Sequence, residues 1–393
     1  MFKQILAISA LNLKSIPQRL APSLVIIVGL AGVVAVFTAL LAMSEGFNQT
    51  LKSTGAKDSA MVLRGGSNGA ELNSGFGRDE AALIKLGQGI RKGPDGQPLA
   101  AGELLVIAEL ARKGDPDSAS NITVRGVEAN SFALRPNVKI IEGRSFEPGL
   151  RELIVGRGVS RQFDGAQVGT TLRMRGSEWQ VVGVFEAGNA HDSELWTSLE
   201  VAQTTFGRSG VSIVLAGLES PDALETLKTS LQADPRLRVD VNSEEAHYSN
   251  QTKQFRAMIG SLAGAVTFIM GLGAIFAALN TMYAAVSART REIATLRAIG
   301  FSGFPVLVSV MIEAIALAAL GGIIGAALAW LLFNNLTVST LGQNFTQVVF
   351  AFKVSLGLVI GGLAIAIAIG MIGGLLPAIR AARMQVTTAL RTQ

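Results

Sequence analysis

Long apolar stretches and one long polar stretch alternate along the chain. Four stretches contain no Asp, Glu, Lys or Arg, namely residues 20–44, 257–288, 314–352 and 354–379. Each is longer than the roughly 20 residues that cross the apolar core of a bilayer as a helix. Residues 46–256 instead hold 24 Lys and Arg and 26 Asp and Glu, a charge density typical of a domain in water. The pattern predicts four membrane-spanning helices and one large water-exposed domain.

The polar stretch has the patterning of a mixed α/β domain. Two helices are predicted, Asp79–Leu86 and Pro221–Leu231, the second with Ser220 as its N-cap. Runs of β-branched and alternating residues predict eight strands: Met61–Arg64, Leu104–Glu109, Ile122–Val127, Glu152–Val155, Thr171–Met174, Gln180–Phe185, Ser212–Gly217 and Leu237–Val241. A strand, helix, strand order occurs near each end of the domain, so we expect the two ends to pair into one layer. Residues 65–77, rich in Gly, Ser and Asn, are predicted to be a mobile loop.

Composition narrows the chemistry that the chain can perform. The protein has 393 residues, of which 49% are hydrophobic and 16% charged, against about a quarter charged in an ordinary soluble protein. Cysteine is absent, which excludes disulfides, thiolate metal sites and cysteine nucleophiles. His191 and His247 are the only histidines, too few and too far apart along the chain for a zinc site, and we interpret both as surface residues. The sequence predicts no metal site and no catalytic residues.

The distribution of charge predicts the orientation of the chain in the membrane. The formal charge is +5, yet residues 46–256 carry two more acids than bases. The positive excess lies in residues 1–19, 288–300 and 378–393, next to the apolar stretches. Because basic loops remain in the cytoplasm, we expect these three pieces and both termini inside and the large domain outside. The basic excess therefore does not indicate nucleic-acid binding.

One carboxylate, Glu313, lies within the third apolar stretch. A charge at that depth is costly, so we expect it to face protein and to have a partner. Asn280, on the second stretch, lies at a comparable depth. Glu313 is either a structural anchor between helices or part of a proton relay or gate. The spans hold no second acid and no histidine, which favours the anchor.

Small residues recur at four-residue spacing in the spans. This spacing lets helix backbones approach closely, within one chain or between two copies. The predicted packing residues are Gly260, Gly264, Gly321, Gly325, Gly357 and Gly361, with a further pair at Gly370 and Gly374.

A polar segment, residues 288–300, separates the second and third stretches. It is too polar to span a membrane and suits a short helix that stops at Gly300. A simple connecting turn with orienting arginines would need fewer residues. The length of the segment suggests instead a surface that docks to a partner.

The same segment carries a family resemblance. The string from Arg291 to Gly300, REIATLRAIG, resembles the coupling-helix signature of the FtsX-like permease superfamily of ABC transporters, which contains MacB and the lipoprotein-releasing LolC and LolE. Glu313 with the following Gly321-Gly322 and Gly325 is similar to the third span of that family, and 377–383 to its C-terminal end. Short segments of the large domain are similar to the MacB-type periplasmic core: Gly126-Val127, 142–144, 154–156, Val168-Gly169 and 181–184.

The resemblance implies a fold and a division of the chain. The fold class is an α-helical membrane domain of four transmembrane helices with a large α+β periplasmic domain, 46–256. That domain would comprise a Porter-like part, 46–109 and 206–256, and a Sabre-like insertion, 110–205. The other implied segments are an interfacial helix 1–19, transmembrane helices 20–45, 257–287, 304–333 and 354–377, a coupling helix 288–303, a short external loop 334–353 and a cytoplasmic tail 378–393.

The resemblance also implies a function, that of an inner-membrane permease subunit which is not itself an enzyme. The dipeptide Gly-Lys never occurs, so a usual phosphate-binding loop is absent from the sequence and we expect ATP and Mg on a separate ATPase dimer. ATP hydrolysis there would drive a conformational change in the periplasm, a mechanism called mechanotransmission. The implied coupling residues are Arg289, Arg291, Glu292, Ile293, Leu296, Arg297 and Gly300.

Export is the function that the large external domain favours. The implied partners are a second permease copy or paralogue, a periplasmic membrane-fusion adaptor and, beyond it, an outer-membrane channel. Two alternatives stay open: extraction of lipoproteins or lipids in the manner of LolC and LolE, and regulation of cell-wall hydrolases in the manner of FtsX.

Overall fold

The computed structural model describes residues 2–14, 20–341 and 347–384, which form two compact units. The helical unit comprises residues 1–45, 257–336 and 352–393, and the sheet unit residues 46–256 and 337–351. The N-terminal helix α1 runs over Phe2–Lys14, and residues 15–19 of the predicted interfacial helix 1–19 lie outside the described residues. The other long helices are α2 (Leu20–Lys52), α8 (Glu244–Ala288), α10 (Gly303–Phe333) and α11 (Leu356–Arg383), with the short α9 (Thr290–Ala298) between α8 and α10.

The four long helices, α2, α8, α10 and α11, are long and apolar enough to cross a membrane. They coincide with the four predicted spans, although α2 and α8 extend well beyond the apolar stretches and contribute residues to both units. The helix α1 also joins the helical unit: Ile8 is buried, and Asn12 Nδ2 donates to Ser309 Oγ of α10 at 2.6 Å.

The glycines of α10 mark a close approach to α2. A Cβ added at Gly325 would lie 2.4 Å from the carbonyl oxygen of Ala31, and one at Gly321 2.8 Å from that of Ile27. Gly260 and Gly264 on α8 would meet nothing within 4 Å. Gly357 and Gly361 would have their nearest neighbours at 3.8 Å. Gly321 and Gly325 of α10 therefore form close helix contacts within the helical unit, whereas Gly260 and Gly264 of α8 do not.

This difference yields a matched test. Gly325→Ala is expected to lower the midpoint of thermal unfolding of the full chain in detergent, because the new methyl group meets backbone that cannot move aside. Gly264→Ala is the control, since it adds the same methyl group to open space and replaces a poor helix former by a good one. Equal midpoints for the two variants would contradict the close packing of α2 and α10.

A ten-stranded sheet organises the sheet unit. The strands are β1 (Ser59–Arg64), β2 (Ala100–Arg112), β3 (Asp115–Val127), β4 (Lys139–Gly143), β5 (Glu152–Gly156), β6 (Thr171–Met174), β7 (Ser177–Glu186), β8 (Glu194–Ser198), β9 (Ile213–Gly217) and β10 (Val239–Ser243). Their order is β10-β1-β9-β2-β3-β8-β5-β7-β4, and β6 pairs with β7. The strands from the two ends of the domain pair next to each other, as the sequence predicts.

All eight predicted strands are confirmed, and β4 and β8 were not predicted. Every residue of β8 is buried and every residue of β4 exposed, so neither strand shows the alternation that identifies a half-buried strand. The helices of the unit are α3 (Arg78–Lys85), α4 (Asn130–Leu134), α5 (Arg157–Gln162), α6 (Leu199–Phe206) and α7 (Ala223–Gln232). Helix α7 begins two residues later than predicted, with Asp222 rather than Ser220 at the N-cap position.

Residues between α10 and α11 also form strands. The segment predicted as a short external loop contains β11 (Thr337–Leu341) and β12 (Gln347–Ala351), which pair antiparallel. β11 contains two Thr and one Val and β12 contains two Val, and these β-branched side chains suit a strand. This hairpin belongs to the sheet unit, whereas the residues on either side of it belong to the helical unit.

Candidate functional site

The helix α9 follows α8 almost without a break and ends at Ala298, two residues before Gly300, whose φ of +101° suits glycine. One face of α9 packs into the helical unit, where Ile293 and Ala294 are buried. The opposite face is exposed and includes two predicted coupling residues, Arg291 and Glu292. The structure confirms a helix within the predicted 288–300 segment.

Arg297 fastens α9 to the end of α11. Its Nη1 atom donates to the carbonyl oxygen of Ala382 at 3.0 Å and also to that of Met384. Leu296 is partly buried against the apolar core of the helical unit, to which Ile293 also belongs. Arg297 and Leu296 therefore hold α9 against the rest of the helical unit.

Arg289, immediately before α9, is paired with Glu313 of α10. The guanidinium donates to the two carboxylate oxygens at 3.0 and 3.4 Å, and both residues are 5% exposed. A cavity of about 30 Å³ lies beside them, enough for a water molecule. Asn280, which the sequence places at a depth comparable to that of Glu313, is exposed on α8. Arg289 lies just after the end of α8, and its long side chain reaches the carboxylate of Glu313 in α10. The depths of the two residues in the apolar stretches do not predict this contact.

A second set of buried charges lies in the sheet unit. Arg125 of β3 is 1% exposed and donates two hydrogen bonds of 2.7 Å to Glu194 of β8. The same guanidinium contacts Glu103 of β2 at 2.8 Å and Glu71 at 3.3 Å. Glu71 belongs to a 3₁₀ turn, Glu71–Asn73, inside the glycine-rich stretch that was predicted to be a mobile loop.

Arg135 extends this set to the start of α8. It pairs with Glu103 and, through Nη2 at 3.2 Å, with Glu244, the first residue of α8. Its guanidinium also lies 5.8 Å from the ring centre of Trp196, whose Nε1 donates to Glu194 at 2.7 Å. We call the two arginines and four glutamates the ion cluster: Arg125, Arg135, Glu71, Glu103, Glu194 and Glu244.

Neighbouring charges keep three carboxylates of the ion cluster ionised, those of Glu71, Glu103 and Glu194. Burial alone would raise the pKa of Glu71, but Arg125 and a hydrogen bond with His247 bring it down from 4.5 to about 2. Burial is likewise outweighed at Glu194, whose pKa lies well below its usual range because of Arg125 and His191. Arg135 and Arg125 lower the pKa of Glu103 against the same opposition. These three groups are therefore charged at neutral pH.

Both histidines belong to the surroundings of the ion cluster, so their interpretation as surface residues is wrong. His191 is fully buried and its Nδ1 lies 3.2 Å from Glu194, while His247 is 4% exposed and its Nε2 lies 3.3 Å from Glu71. The amino-acid composition does not indicate that either histidine is buried. The signal that the sequence did contain is Arg125, a charge in the middle of a predicted apolar strand.

Four helices that are long and apolar enough to cross a membrane, a short helix between two of them and a large α/β unit make up the described part of the chain. The chain belongs to the MacB-like periplasmic core domain family, whose model matches residues 23–234, more than half of the chain. A second family model, the FtsX-like permease C-terminal region, matches residues 264–386 and so covers α9 to α11 and most of α8. The resemblance that rested on the α9 string is confirmed, and the protein is a permease of the ABC transporter class.

Relatives agree with this assignment. The ABC transporter permease YvrN of Bacillus subtilis is 26% identical over 395 residues, which cover 93% of each chain. YknZ of the same organism is 26% identical over 295 residues, which cover 70% of this chain and 71% of YknZ. The pyoverdine export ATP-binding/permease protein PvdT of Pseudomonas fluorescens is 27% identical over 399 residues, which cover 94% of this chain but 56% of PvdT.

Two solved structures resemble part of the chain. The extracellular domain of the ABC-type transporter YknZ from Gram-positive bacteria has a TM-score of 0.35 at 16% identity and covers 47% of this chain and all of that domain. The periplasmic region of MacB from Actinobacillus actinomycetemcomitans has a TM-score of 0.35 at 11% identity and covers 48% of this chain and 90% of that region.

Proposed function

We propose that this chain is a mechanotransmission permease of the inner membrane, with both termini in the cytoplasm and the sheet unit in the periplasm. A separate ABC ATPase dimer, which holds ATP and Mg, docks on the exposed face of α9. ATP-driven movement of α9 is passed to the sheet unit. In this proposal no cargo crosses a pore in the helical unit.

The continuity of α8 carries this proposal. The helix runs unbroken over 45 residues, about 70 Å at 1.5 Å per residue, from Glu244 to Ala288. At one end it leads directly into α9, which Arg297 and the pair of Arg289 with Glu313 fix to the neighbouring helices. At the other end Glu244 is bound into the ion cluster. In this proposal α8 is the element that passes a tilt of α9 to the sheet unit.

Export is the direction of transport that the relatives favour. PvdT is named for pyoverdine export and joins an ATP-binding part to a permease part, and this chain matches nearly its whole length to about half of PvdT. We infer that this chain exports a solute with a second permease copy or paralogue, a membrane-fusion adaptor and an outer-membrane channel.

Charge reversal on the exposed face of α9 tests the docking step. Arg291→Glu and Glu292→Arg are expected to abolish permease-dependent stimulation of the partner ATPase and its co-purification with the permease, while the ATPase alone still binds ATP. Arg297 is unsuitable for this test because its loss would release α9 from α11.

The matched control is Lys353→Glu, an exposed charge reversal in the segment between β12 and α11. It should leave both co-purification and ATPase stimulation unchanged. Wild-type stimulation in the two α9 variants would show that α9 is not the docking surface.

A further inference from the structure

A 3₁₀ turn, Ala190–Ser193, links β7 to β8 and is held by the end of α2. The backbone N–H of Ala190 donates to Thr54 Oγ1 at 3.0 Å, and Asn189 Nδ2 donates to the carbonyl oxygen of Ser53 at 3.3 Å. These bonds join the turn to the residues that directly follow α2, the helix of the first span.

The same turn holds the hairpin β11–β12. The N–H of Val349 in β12 donates to Ser193 Oγ at 2.7 Å, and Ser193 is 2% exposed. The next residue, Phe350, is also 2% exposed and its ring lies 5.4 Å, edge to face, from that of Phe47. The hairpin is thus packed into the sheet unit.

The connections between the hairpin and the helices of the third and fourth spans are short. Only residues 334–336 separate α10 from β11, and only 352–355 separate β12 from α11. These connections are themselves hydrogen-bonded: Asn335 donates to the carbonyl of Phe352, and Phe352 to that of Leu336, both at 3.0 Å. In the proposed cycle these short connections would pass a displacement of the ends of α10 or α11 to the hairpin.

The turn also reaches α8 through the ion cluster. Glu194 follows the turn directly and is bonded to Arg125, which contacts Glu71. Glu71 in turn lies 3.3 Å from Nε2 of His247 on α8. Every segment that enters the sheet unit from a membrane-spanning helix therefore connects to the turn or to the residue beside it.

We propose that the turn Ala190–Ser193 is the junction at which the movements of all four spanning helices are combined, and that Ser193 is the positioning residue which links α10 and α11 to it through the hairpin. This inference rests on the proposed mechanotransmission through α8 and adds two routes to it, one through α2 and one through the hairpin.

Hydrogen exchange on the full permease with its ATPase in lipid nanodiscs tests the junction. In wild type, ATP with vanadate should change deuterium uptake in β5 and β8. In Ser193→Ala, the Val349 amide loses its acceptor and should exchange roughly tenfold faster. The ATP-dependent change in β5 and β8 should shrink, and Ser193→Thr, which keeps a hydroxyl, should restore it.

Ser212→Ala is the matched control. Ser212 is 4% exposed and its Oγ accepts from the N–H of Leu105 at 3.0 Å, so it makes the same kind of bond far from the hairpin in sequence. It should leave the ATP response unchanged. An undiminished response in Ser193→Ala would overturn the junction alone, whereas no response in wild type would overturn the mechanotransmission on which it rests.

Discussion

Arg125→Met is expected to lower the free energy of unfolding of the sheet unit by about 3–5 kcal/mol, the usual loss when one partner of a buried ion pair is removed. Arg125 is 1% exposed and contacts three carboxylates, those of Glu194, Glu103 and Glu71. Methionine fills much of the space but leaves these carboxylates without their shared cation. Denaturant unfolding of the full chain in detergent measures the loss through the fluorescence of Trp196, which is bonded to Glu194.

Arg173→Met is the control for Arg125→Met. Arg173 pairs with Glu178 at 2.7 Å, the same distance as between Arg125 and Glu194, but its side chain is 75% exposed. Surface pairs contribute little to stability, so this variant should unfold as wild type does. Adding Glu194→Gln to Arg125→Met should recover part of the loss, because it removes one uncompensated charge. Equal losses of unfolding free energy in Arg125→Met and Arg173→Met would mean that burial of an ion pair does not change its contribution to stability.

The sequence predicted elements whose signal is local. Four uninterrupted apolar stretches identify α2, α8, α10 and α11, and the polar segment that stops at Gly300 identifies α9. The strands of the sheet unit with β-branched runs were also predictable, because each run by itself favours an extended backbone.

What the sequence did not predict depends on contacts between distant residues. Glu71 lies among glycines, asparagines and serines, and it is held by contacts with two residues distant in sequence, Arg125 and His247. The burial of His191 follows from the entirely buried strand β8 beside it, which carries no alternation. The sequence gives Arg289 as one of the implied coupling residues and does not predict its pairing with Glu313. That contact depends on how the folded helices lie against each other.

Removal of either partner from the pair of Arg289 and Glu313 is expected to destabilise the helical unit by about 3–5 kcal/mol, since each residue is 5% exposed and would leave the other charge buried. The double variant Arg289→Met with Glu313→Leu should recover most of this loss, because an apolar pair of similar volume removes both desolvation costs. Thermal unfolding of the four proteins in detergent gives the coupling between the two positions. Asn280→Ala, at an exposed polar position on α8, is the control and should unfold as wild type does.

The double variant also decides between the two interpretations of Glu313. If the carboxylate is a structural anchor, the double variant regains stability and keeps its stimulation of the partner ATPase, because an apolar contact still fixes α9 to α10. If Glu313 relays a proton or gates the transport cycle, stability returns but stimulation does not. The anchor is the expected result, since both carboxylate oxygens of Glu313 accept hydrogen bonds from the guanidinium of Arg289. Restored stability without stimulation would contradict it.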